Sequence, residues 1–479
     1  MLVSTTSPTA PAASPPDSLR ARTDLSGVDT PSFGDTLAWL YRHINLEAIE
    51  RGQAGRAAEP TLERIAALLQ VMGDPHRSYP SIHITGTNGK GSTTRIATAL
   101  LLARGLSTGT IMSPHLEHVN ERITRDLFAI SDDELFEILV ALETLENFVL
   151  SSGALAIAPT WFELITAAAY RHFADCAVDV AVVEVGLGGR YDATNVIESD
   201  VAAVTNVDLD HVEILGPTRA HIATEKAGII KSSSIAVIGE RDEEIVKIFV
   251  DEAKRVGARD LLRRGRDFEC VGNTVALGGR VLDIRTPGAN YEGLFLGLHG
   301  AHQGANASLA LSAVEAFFGA PVHEDVVAEA FEKVKVPGRL EVVARQPLVI
   351  LDGAHNEAGA RVLGDAMRED FAGIERIVVV MGCLRGRNPR ALLLAMGCER
   401  VAEVVCCEPA SPRAQRAEAI ARSIEDLGPT VRAVPDVSEA LYEARSKARE
   451  ADAVLVMGSL YVVGAARGQF GRLASHGRE

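Results

Sequence analysis

The sequence predicts an α/β protein in which a doubly wound, mostly parallel sheet domain is followed by a smaller α/β domain. From about residue 81 onward, apolar segments of strand length, Gly-rich turns and helical segments alternate. The same alternation restarts after Pro337-Gly338. Strands that alternate with helices form parallel sheets with right-handed crossovers. We therefore expect two α/β units with a boundary near residues 320–338.

Short apolar runs rich in β-branched residues predict the strands of the first unit at 81–85, 178–185 and 201–205. The continuous run at 178–185 is typical of a strand covered on both faces. Helical periodicity predicts helices at 90–103, 132–150, 162–173, 218–230 and 303–318. In the second unit the same criteria predict strands at 348–351, 377–380, 401–406 and 453–457, and helices at 413–427 and 438–449.

Two segments differ from this alternation. Residues 1–32 are rich in Ser, Thr, Pro and Ala and predict a flexible tail, because such a stretch buries little apolar surface. Residues 266–299 contain short β-rich pieces around Gly278-Gly279, which predict antiparallel hairpins. The expected organisation is a tail at 1–32, a first domain at 33–320 with a small β insertion, and a second domain at 338–479.

The amino-acid composition argues against several classes of protein. The 479 residues carry 48 basic and 64 acidic side chains, a net charge of −16, which argues against a dedicated nucleic-acid or membrane-surface binder. No apolar run reaches the roughly 18 residues of a transmembrane helix. Six cysteines without a C-x-x-C pair are typical of buried thiols in a reducing compartment. We expect a cytoplasmic monomer that acts on small molecules.

The strongest local signal is the segment 82–93, IHITGTNGKGST, in which a strand ends in a Gly-rich loop and a helix begins. Glycines let backbone N–H groups approach phosphate oxygens, and the helix N-terminus adds partial positive charge. Lys90 can reach terminal phosphates, while the hydroxyls of Ser92 and Thr93 can bond phosphate or a Mg²⁺-bound water. The segment departs from the common phosphate-loop pattern at Ile84 and Gly91, which leaves an ordinary Gly-rich turn as the alternative.

A second signal is Glu184, which falls at the end of the buried strand 178–185. A buried carboxylate needs a cation or hydrogen-bond donors, because unpaired burial is costly. Mg²⁺ prefers hard oxygen ligands, so Glu184 is a candidate metal ligand. The alternative is an ion pair between Glu184 and Arg190.

The motifs together resemble the Mur ligase superfamily, and its folylpolyglutamate synthase/dihydrofolate synthase branch most closely. The resemblance begins with TGTNGKGS at 85–92 and runs from about residue 79 to 464. The other blocks follow in the family's order: SPHL and ERI at 113–116 and 121–123, EVGLGGRYDATN at 184–195, TNVDLDH at 205–211, EKAGI at 225–229, HGAHQGAN at 299–306, PGRLE at 337–341, DGAHN at 352–356, SPRA at 411–414 and GSLY at 458–461. The family implies a Mur ligase-like fold with a Rossmann-like C-terminal domain.

The resemblance also implies the metal ligands. Ser113, Glu184 and His211 would hold Mg²⁺, and Lys226 would be carbamylated and hold a second Mg²⁺. Without the family, Ser113 would be part of a turn, His211 a hydrogen-bonded structural residue and Lys226 a solvated helix residue. A requirement for a monovalent cation is left open by the sequence.

The remaining implied roles concern the substrates. Lys90, Lys226, Arg339 and His355 would be catalytic, and His355, Arg413 and Ser459 would hold the incoming glutamate. ATP would be bound by Gly86, Thr87, Asn88, Gly89, Lys90, Gly91, Ser92, Thr93, Asn306, Arg339 and Asp352. For Asn306, helix capping is the alternative.

The implied function is ATP-dependent ligation of L-glutamate to folates, and to dihydropteroate, through an acyl phosphate. Two departures from the family, the segment 384–389 without its usual acid and the loop 124–130 without its usual Gly turn, lie where substrates would bind. They leave open an amide ligase that acts on a different acid. A non-catalytic nucleotide-binding paralogue is a second alternative.

Overall fold

The computed structural model describes residues 32–47 and 59–474. The tail expected at 1–32 lies outside these ranges, apart from Ser32, which begins α1 (Phe33–Arg42) by accepting the N–H of Asp35. A second helix, α2 (Glu63–Val71), also precedes the first strand. Within the described ranges, no helix combines the length and the apolar character needed to cross a bilayer.

The first unit is built on an eight-stranded sheet. Its strands are β1 (Ser81–Thr85), β2 (Thr108–Ile111), β3 (Ile123–Arg125), β4 (Phe128–Ala129), β5 (Val180–Glu184), β6 (Val201–Val204), β7 (Ile235–Ile238) and β8 (Asp260–Arg263). They lie in the order β4-β3-β2-β5-β1-β6-β7-β8, and only the pairs β2–β3 and β3–β4 are antiparallel. The central strands are buried along their whole length, as expected for a parallel sheet covered on both faces.

Helices cover both faces of this sheet. They are α3 (Lys90–Ala103), α4 (Asp132–Ser151), α5 (Trp161–Asp175), α6 (Val212–Leu215), α7 (Arg219–Ala227), α8 (Glu243–Val256), α9 (His302–Phe318) and α10 (Glu324–Lys333), with short 3-10 helices at Pro75–Arg77, Val119–Arg122 and Ala193–Val196. Capping boxes fix the starts of α4 and α5, because Ser131 and Thr160 each accept the N–H of a Glu three residues later, whose carboxylate bonds back. The side chains of Val327 and Phe331 place α10 in the core of the first unit.

The expected β insertion is a three-stranded antiparallel sheet of β9 (Glu269–Ala276), β10 (Gly279–Arg285) and β11 (Asn290–Leu296). Gly278 makes the β9–β10 turn at φ +81°, a conformation that glycine adopts without strain. Leu282, Ile284 and Tyr291 pack into the same core as α3 and α9. The small sheet is therefore attached to the first unit by apolar packing.

The second unit contains a six-stranded sheet. Its strands are β12 (Glu341–Arg345), β13 (Leu348–Leu351), β14 (Ile377–Met381), β15 (Val401–Cys406), β16 (Thr430–Ala433) and β17 (Ala453–Met457), in the order β12-β13-β17-β14-β15-β16 with only β12 antiparallel. The helices are α11 (Glu357–Glu369), α12 (Pro389–Met396), α13 (Ala417–Ile424), α14 (Val437–Lys447) and α15 (Leu460–Ala474). The mostly parallel α/β architecture predicted for both units is confirmed, while the exact division at 33–320 and 338–479 stays a prediction.

The helix predicted at 413–427 is wrong at its start, because α13 begins only at Ala417. Arg416 is extended, with φ −66° and ψ 137°, and the N–H of Gln415 bonds the carbonyl of Cys383. Residues 413–416 therefore form a loop against the end of β14. The strand predicted at 178–185 is also shorter, since Ala177 turns the chain at φ +50° and β5 begins at Val180.

A histidine in β1 is buried in the first unit. His83 is fully buried, with Nε2 at 2.9 Å from Thr194 Oγ1, and that hydroxyl donates its proton to Asp192. Nε2 must therefore be the donor, and Nδ1 has no hydrogen-bond partner among the described residues. Burial, followed by the charge of Lys231, lowers the pKa of His83 to about 3. The folded state thus holds a neutral imidazole.

We expect the free energy of unfolding to fall as the pH drops below 6.5, the ordinary pKa of histidine, toward the folded value of about 3. Only the unfolded chain takes up the proton in that range, at about 1.4 kcal/mol per pH unit, whereas above it His83 adds no pH dependence. His83→Gln keeps the donor to Thr194 and should reduce the slope. Urea unfolding at several pH values between about 7 and 5 measures this. Equal slopes for the two proteins would contradict it.

Candidate active site

The Gly-rich loop lies at the carboxyl end of β1, and α3 begins directly after it. Gly89, the residue before α3, has φ +82°, and a Cβ there would lie 2.4 Å from Asn306 Oδ1. A Cβ on Gly86 would lie 1.7 Å from Thr205 Oγ1. The neighbouring strand end holds the loop, since the N–H groups of Thr87 and Asn88 donate to the carbonyl and side chain of Asn206. The glycines are thus required by close packing, and the N-terminus of α3 offers backbone N–H groups of the kind that bind phosphates.

Two lysines converge on this loop. Lys90 Nζ lies 3.2 Å from the carbonyl oxygen of Gly86 and 3.4 Å from that of Thr87. Lys226 Nζ donates to the same Gly86 carbonyl at 2.8 Å. Lys226 is only 3% exposed, so the interpretation as a solvated helix residue is wrong. Burial, and then the charge of Lys90, lowers the pKa of Lys226 to about 7.

Glu184 ends β5 beside the loop and is 3% exposed. Its Oε2 accepts the backbone N–H of Ser113 at 3.1 Å. Burial raises the pKa of Glu184, and the charge of Lys90 opposes that shift. The alternative pairing is wrong, because Arg190 instead donates to Glu252 at 2.9 Å.

His211 follows β6 and turns the chain into α6 with φ +49°. Its ring nitrogens lie 3.9 Å from Asp210 and 3.8 Å from Glu213, beyond hydrogen-bond range, which does not fit a hydrogen-bonded structural residue. Burial lowers the pKa of His211 to about 4, although Asp210 opposes the shift. The imidazole is therefore neutral near pH 7, the form that binds metal ions.

Behind the loop, α9 supplies polar side chains. Asn306 lies inside the helix, four residues after its start at His302, so the capping alternative is wrong. Its Nδ2 donates to Gln303 Oε1 at 2.9 Å, and Gln303 Nε2 donates to Ser92 Oγ at 3.3 Å. Thr93 is fully buried. Unlike residues 86–92 of the loop, it does not line the cavity between the two units.

The second unit faces the loop with the carboxyl end of β13. Asp352 accepts the N–H of Leu340 at 2.9 Å on Oδ2 and that of Ala354 at 2.8 Å on Oδ1. Burial raises the pKa of Asp352, and the charge of Arg339 opposes that shift. Because its carboxylate bonds backbone on both sides, Asp352 fixes the junction that carries Arg339.

The residues expected to hold glutamate come from three loops of the second unit: the loop after β13, the loop before α13 and the loop after β17. Arg413 donates to the carbonyl oxygens of Glu47 at 3.3 Å and Arg385 at 3.4 Å. Ser459 follows β17, is 3% exposed, and accepts the N–H of Tyr461 at 3.2 Å. His355 Nδ1 donates to the carbonyl of Gly353 at 2.9 Å.

One cavity of about 1440 Å³ between the two sheets joins these groups. Its walls are formed where the carboxyl ends of the central strands of both units meet, the position in which parallel sheets bind ligands. It is lined by every predicted site residue except Thr93: Gly86, Thr87, Asn88, Gly89, Lys90, Gly91, Ser92, Ser113, Glu184, His211, Lys226, Asn306, Arg339, Asp352, His355, Arg413 and Ser459.

Both units of this chain are similar to known protein families. Residues 142–314 match the family described as Mur ligase middle domain, and residues 338–460 match Mur ligase, glutamate ligase domain. A dihydrofolate synthase/folylpolyglutamate synthase from Mycobacterium tuberculosis is 40% identical over 446 residues, which cover 86% of this chain and 91% of that protein. The chain belongs to the dihydrofolate synthase/folylpolyglutamate synthase family. The resemblance inferred from the motifs is thereby confirmed.

Solved structures of this family share the fold. Folylpolyglutamate synthase from Mycobacterium tuberculosis, complexed with ADP and AMPPCP, superposes with a TM-score of 0.83 at 38% identity, covering 91% of this chain and 99% of that one. The bifunctional folylpolyglutamate synthase/dihydrofolate synthase from Yersinia pestis, complexed with AMPPNP and a Mn ion, gives a TM-score of 0.77 at 30% identity, covering 92% and 100%. The predicted Mur ligase-like fold is confirmed.

Three residues at or next to the cavity of this family member were not identified from the sequence. Asp210, which directly precedes His211, and Arg387, which lies in the segment that departs from the family, line the cavity. Asn356 directly follows His355. Arg387 and Asn356 both donate to the Asp210 carboxylate. Sequence position could have identified them. Asp210 and Asn356 lie within the family motifs at 205–211 and 352–356, and Arg387 lies in the departing segment 384–389.

Proposed function

We propose that this chain is an ATP-dependent ligase that adds L-glutamate to folates, as a folylpolyglutamate synthase, and to dihydropteroate, as a dihydrofolate synthase. One observation carries the proposal: a single cavity joins a phosphate loop with two lysines on one unit to the glutamate ligase domain on the other. The named activity of relatives that are similar over most of their length supports it. Because the chain belongs to this family, we no longer favour the alternative that the segment 82–93 is an ordinary Gly-rich turn.

The reaction has two steps. ATP phosphates lie on the loop, and a folate or pteroate carboxylate attacks the γ-phosphorus, which forms an acyl phosphate and releases ADP. The amine of glutamate then attacks the acyl carbon, so that phosphate leaves and an amide remains. Lys90 neutralises charge on the transferred phosphoryl group, and Arg339 approaches from the second unit to do the same. The two units exclude water, which would otherwise hydrolyse the acyl phosphate.

The residues fit a divalent cation. Ser113 offers a hydroxyl and Glu184 a buried carboxylate with one N–H partner, and these hard oxygen donors suit Mg²⁺ or Mn²⁺. His211 adds a neutral imidazole nitrogen. A Mn ion in the Yersinia pestis relative supports a divalent site. Bound there, Mg²⁺ would neutralise phosphate charge. We propose two ions, the second held by a carbamylated Lys226.

Lys226 provides a separate test. Lys226→Arg keeps a positive charge but cannot form a carbamate, so we expect kcat to fall by about a hundredfold if the modified side chain holds the second ion. Lys226→Ala should regain part of its activity when acetate is added, because a free carboxylate can replace the missing oxygens. The measurement is ADP release with and without acetate. Full activity of Lys226→Arg would show that carbamylation is not required.

On the second unit, His355, Arg413 and Ser459 hold the incoming glutamate. Arg413 supplies a guanidinium for a carboxylate, and Ser459 supplies a hydroxyl at the end of β17. Every group comes from one chain, so we propose a monomer as the active unit. The six free cysteines support a cytoplasmic location, where thiols stay reduced.

Glutamate-dependent ADP release by the purified protein tests the function. With tetrahydrofolate or dihydropteroate, Mg²⁺ and ATP, we expect equal amounts of ADP and glutamylated product. Turnover with another acid in place of folates would favour the amide ligase alternative, which the segment 384–389 keeps open. Nucleotide binding without turnover on any acid would favour a non-catalytic paralogue.

A further inference from the structure

The carboxylate of Asp210 lies where the second unit approaches the phosphate loop. Asp210 belongs to the loop after β6, and its side chain is 7% exposed. Oδ1 accepts from Arg387 at 2.5 Å, and Oδ2 accepts from Asn356 Nδ2 at 3.0 Å. Both donors come from the second unit. One buried acid of the first unit therefore binds two side chains of its partner domain.

Asn356 extends this contact to the phosphate loop. Its Nδ2 also donates to Asn88 Oδ1 at 3.1 Å, and its own Oδ1 accepts the N–H of Gly359 at the start of α11. A single amide thus joins the loop, Asp210 and the N-terminus of α11. The position of α11 relative to the ATP site is set by these hydrogen bonds.

His355 is oriented by the same carboxylate. Its Nδ1 faces the carbonyl of Gly353, which can only accept, so Nδ1 carries a hydrogen. Nε2 then points toward Asp210 Oδ2 at 3.6 Å. Asp210 therefore faces the imidazole that we place beside the incoming glutamate.

Other ion pairs between the two units lie away from the cavity. Arg467 of α15 donates to Glu117 at 2.6 Å, and Arg280 of β10 donates to Asp370 at 2.7 Å. None of these four residues lines the cavity. They hold the two units together without touching the loop, so they offer a comparison for Asp210.

We propose that Asp210 is a positioning residue, which seats His355, Asn356 and Arg387 against the phosphate loop so that the glutamate amine meets the acyl phosphate before water does. The inference rests on the proposed ligase activity. The phosphate loop belongs to the first unit, so Asp210 affects capture by glutamate more than nucleotide binding. A misplacement of about 1 Å at a reacting centre can cost about a hundredfold in rate.

The test is Asp210→Asn, which keeps the size of the side chain but removes its charge. We expect kcat to fall about tenfold to a hundredfold and the KM for glutamate to rise, while ATP-analogue affinity and the Mg²⁺ concentration for half-maximal activity change less than about threefold. The deciding readout is the ratio of ADP to glutamylated product. Wild type should form equal amounts, whereas the variant should form excess ADP, because water captures part of the acyl phosphate.

Two further variants make the result specific. Glu117→Gln breaks an ion pair between the units outside the cavity and should keep the wild-type product ratio. Arg387→Met should reproduce the defect of Asp210→Asn from the opposite side, and the double variant should be little worse than either one, because both remove the same contact. If Asp210→Asn does not fold, Arg387→Met decides the question.

The outcomes separate the two proposals. A wild-type product ratio and glutamate KM in the Asp210→Asn or Arg387→Met variant would overturn the positioning role. So would a loss of nucleotide or Mg²⁺ affinity as large as the loss of kcat. Failure of the proposed function would appear differently, as wild-type protein without glutamate-dependent ADP release.

Discussion

Replacing Lys90 by methionine is expected to lower kcat for glutamate-dependent ADP release by about a thousandfold. The substitution keeps most of the aliphatic stem and removes the ammonium group. Lys90 Nζ lies against the carbonyls of Gly86 and Thr87, so the cation is held at the loop that we propose binds the phosphates. Charge that develops on the transferred phosphoryl group would then lack the cation of that loop.

A matched control is Lys333→Met. The Lys333 side chain is 71% exposed in α10 and pairs with Glu329 on the same helix. An exposed pair of this kind contributes little to stability, so kcat should stay near the wild-type value. If Lys90→Met retained more than about a tenth of wild-type kcat, the assignment of the loop as the ATP site would be wrong.

Glu184→Gln is expected to change both kcat and the Mg²⁺ requirement. We expect kcat to fall about a hundredfold and the Mg²⁺ concentration for half-maximal activity to rise about tenfold or more, because an amide is a weaker ligand than a carboxylate. The fold should tolerate the change, since burial already disfavours the charged form of Glu184 and raises its pKa. Mg²⁺ titrations of activity, with thermal unfolding recorded in parallel, measure both effects.

Glu146→Gln is the control for removing a buried acid. Glu146 is 4% exposed, but it bonds Trp39 and His43 between α1 and α4, outside the cavity. Its loss should affect stability and leave the Mg²⁺ requirement unchanged. An unchanged Mg²⁺ requirement in Glu184→Gln would contradict the metal site.

Elements that depend on short sequence patterns, such as apolar runs and glycine spacing, could be predicted from the sequence. The apolar run of β5 and the Gly-rich loop before α3 follow from side-chain pattern and glycine spacing alone, and the structure contains both, although β5 is shorter than predicted and begins only at Val180. Family blocks added the polar residues at the strand ends. The helix predicted from residue 413 begins only at Ala417, because a tertiary hydrogen bond from the N–H of Gln415 to the carbonyl of Cys383 holds the preceding segment extended.

Contacts between the units could not be predicted in this way. Asp210 and Arg387 are 177 positions apart, and nothing in either segment indicates the other. The ion pair suggested for Glu184 and Arg190 was plausible from their spacing, yet Arg190 turns away to Glu252. The first pairing depends on how the two sheets meet, and the second on how α8 packs beside the loop after β5. Local sequence pattern encodes neither.

An isotope-transfer experiment tests directly for the acyl phosphate. The substrate carboxylate is labelled with ¹⁸O and converted with glutamate and MgATP, and the released phosphate is analysed by mass spectrometry. If the carboxylate attacks the γ-phosphorus, one of its oxygens must leave with the phosphate when the amine forms the amide. We expect labelled phosphate in step with the product, and phosphate without label would contradict an acyl phosphate in this cavity.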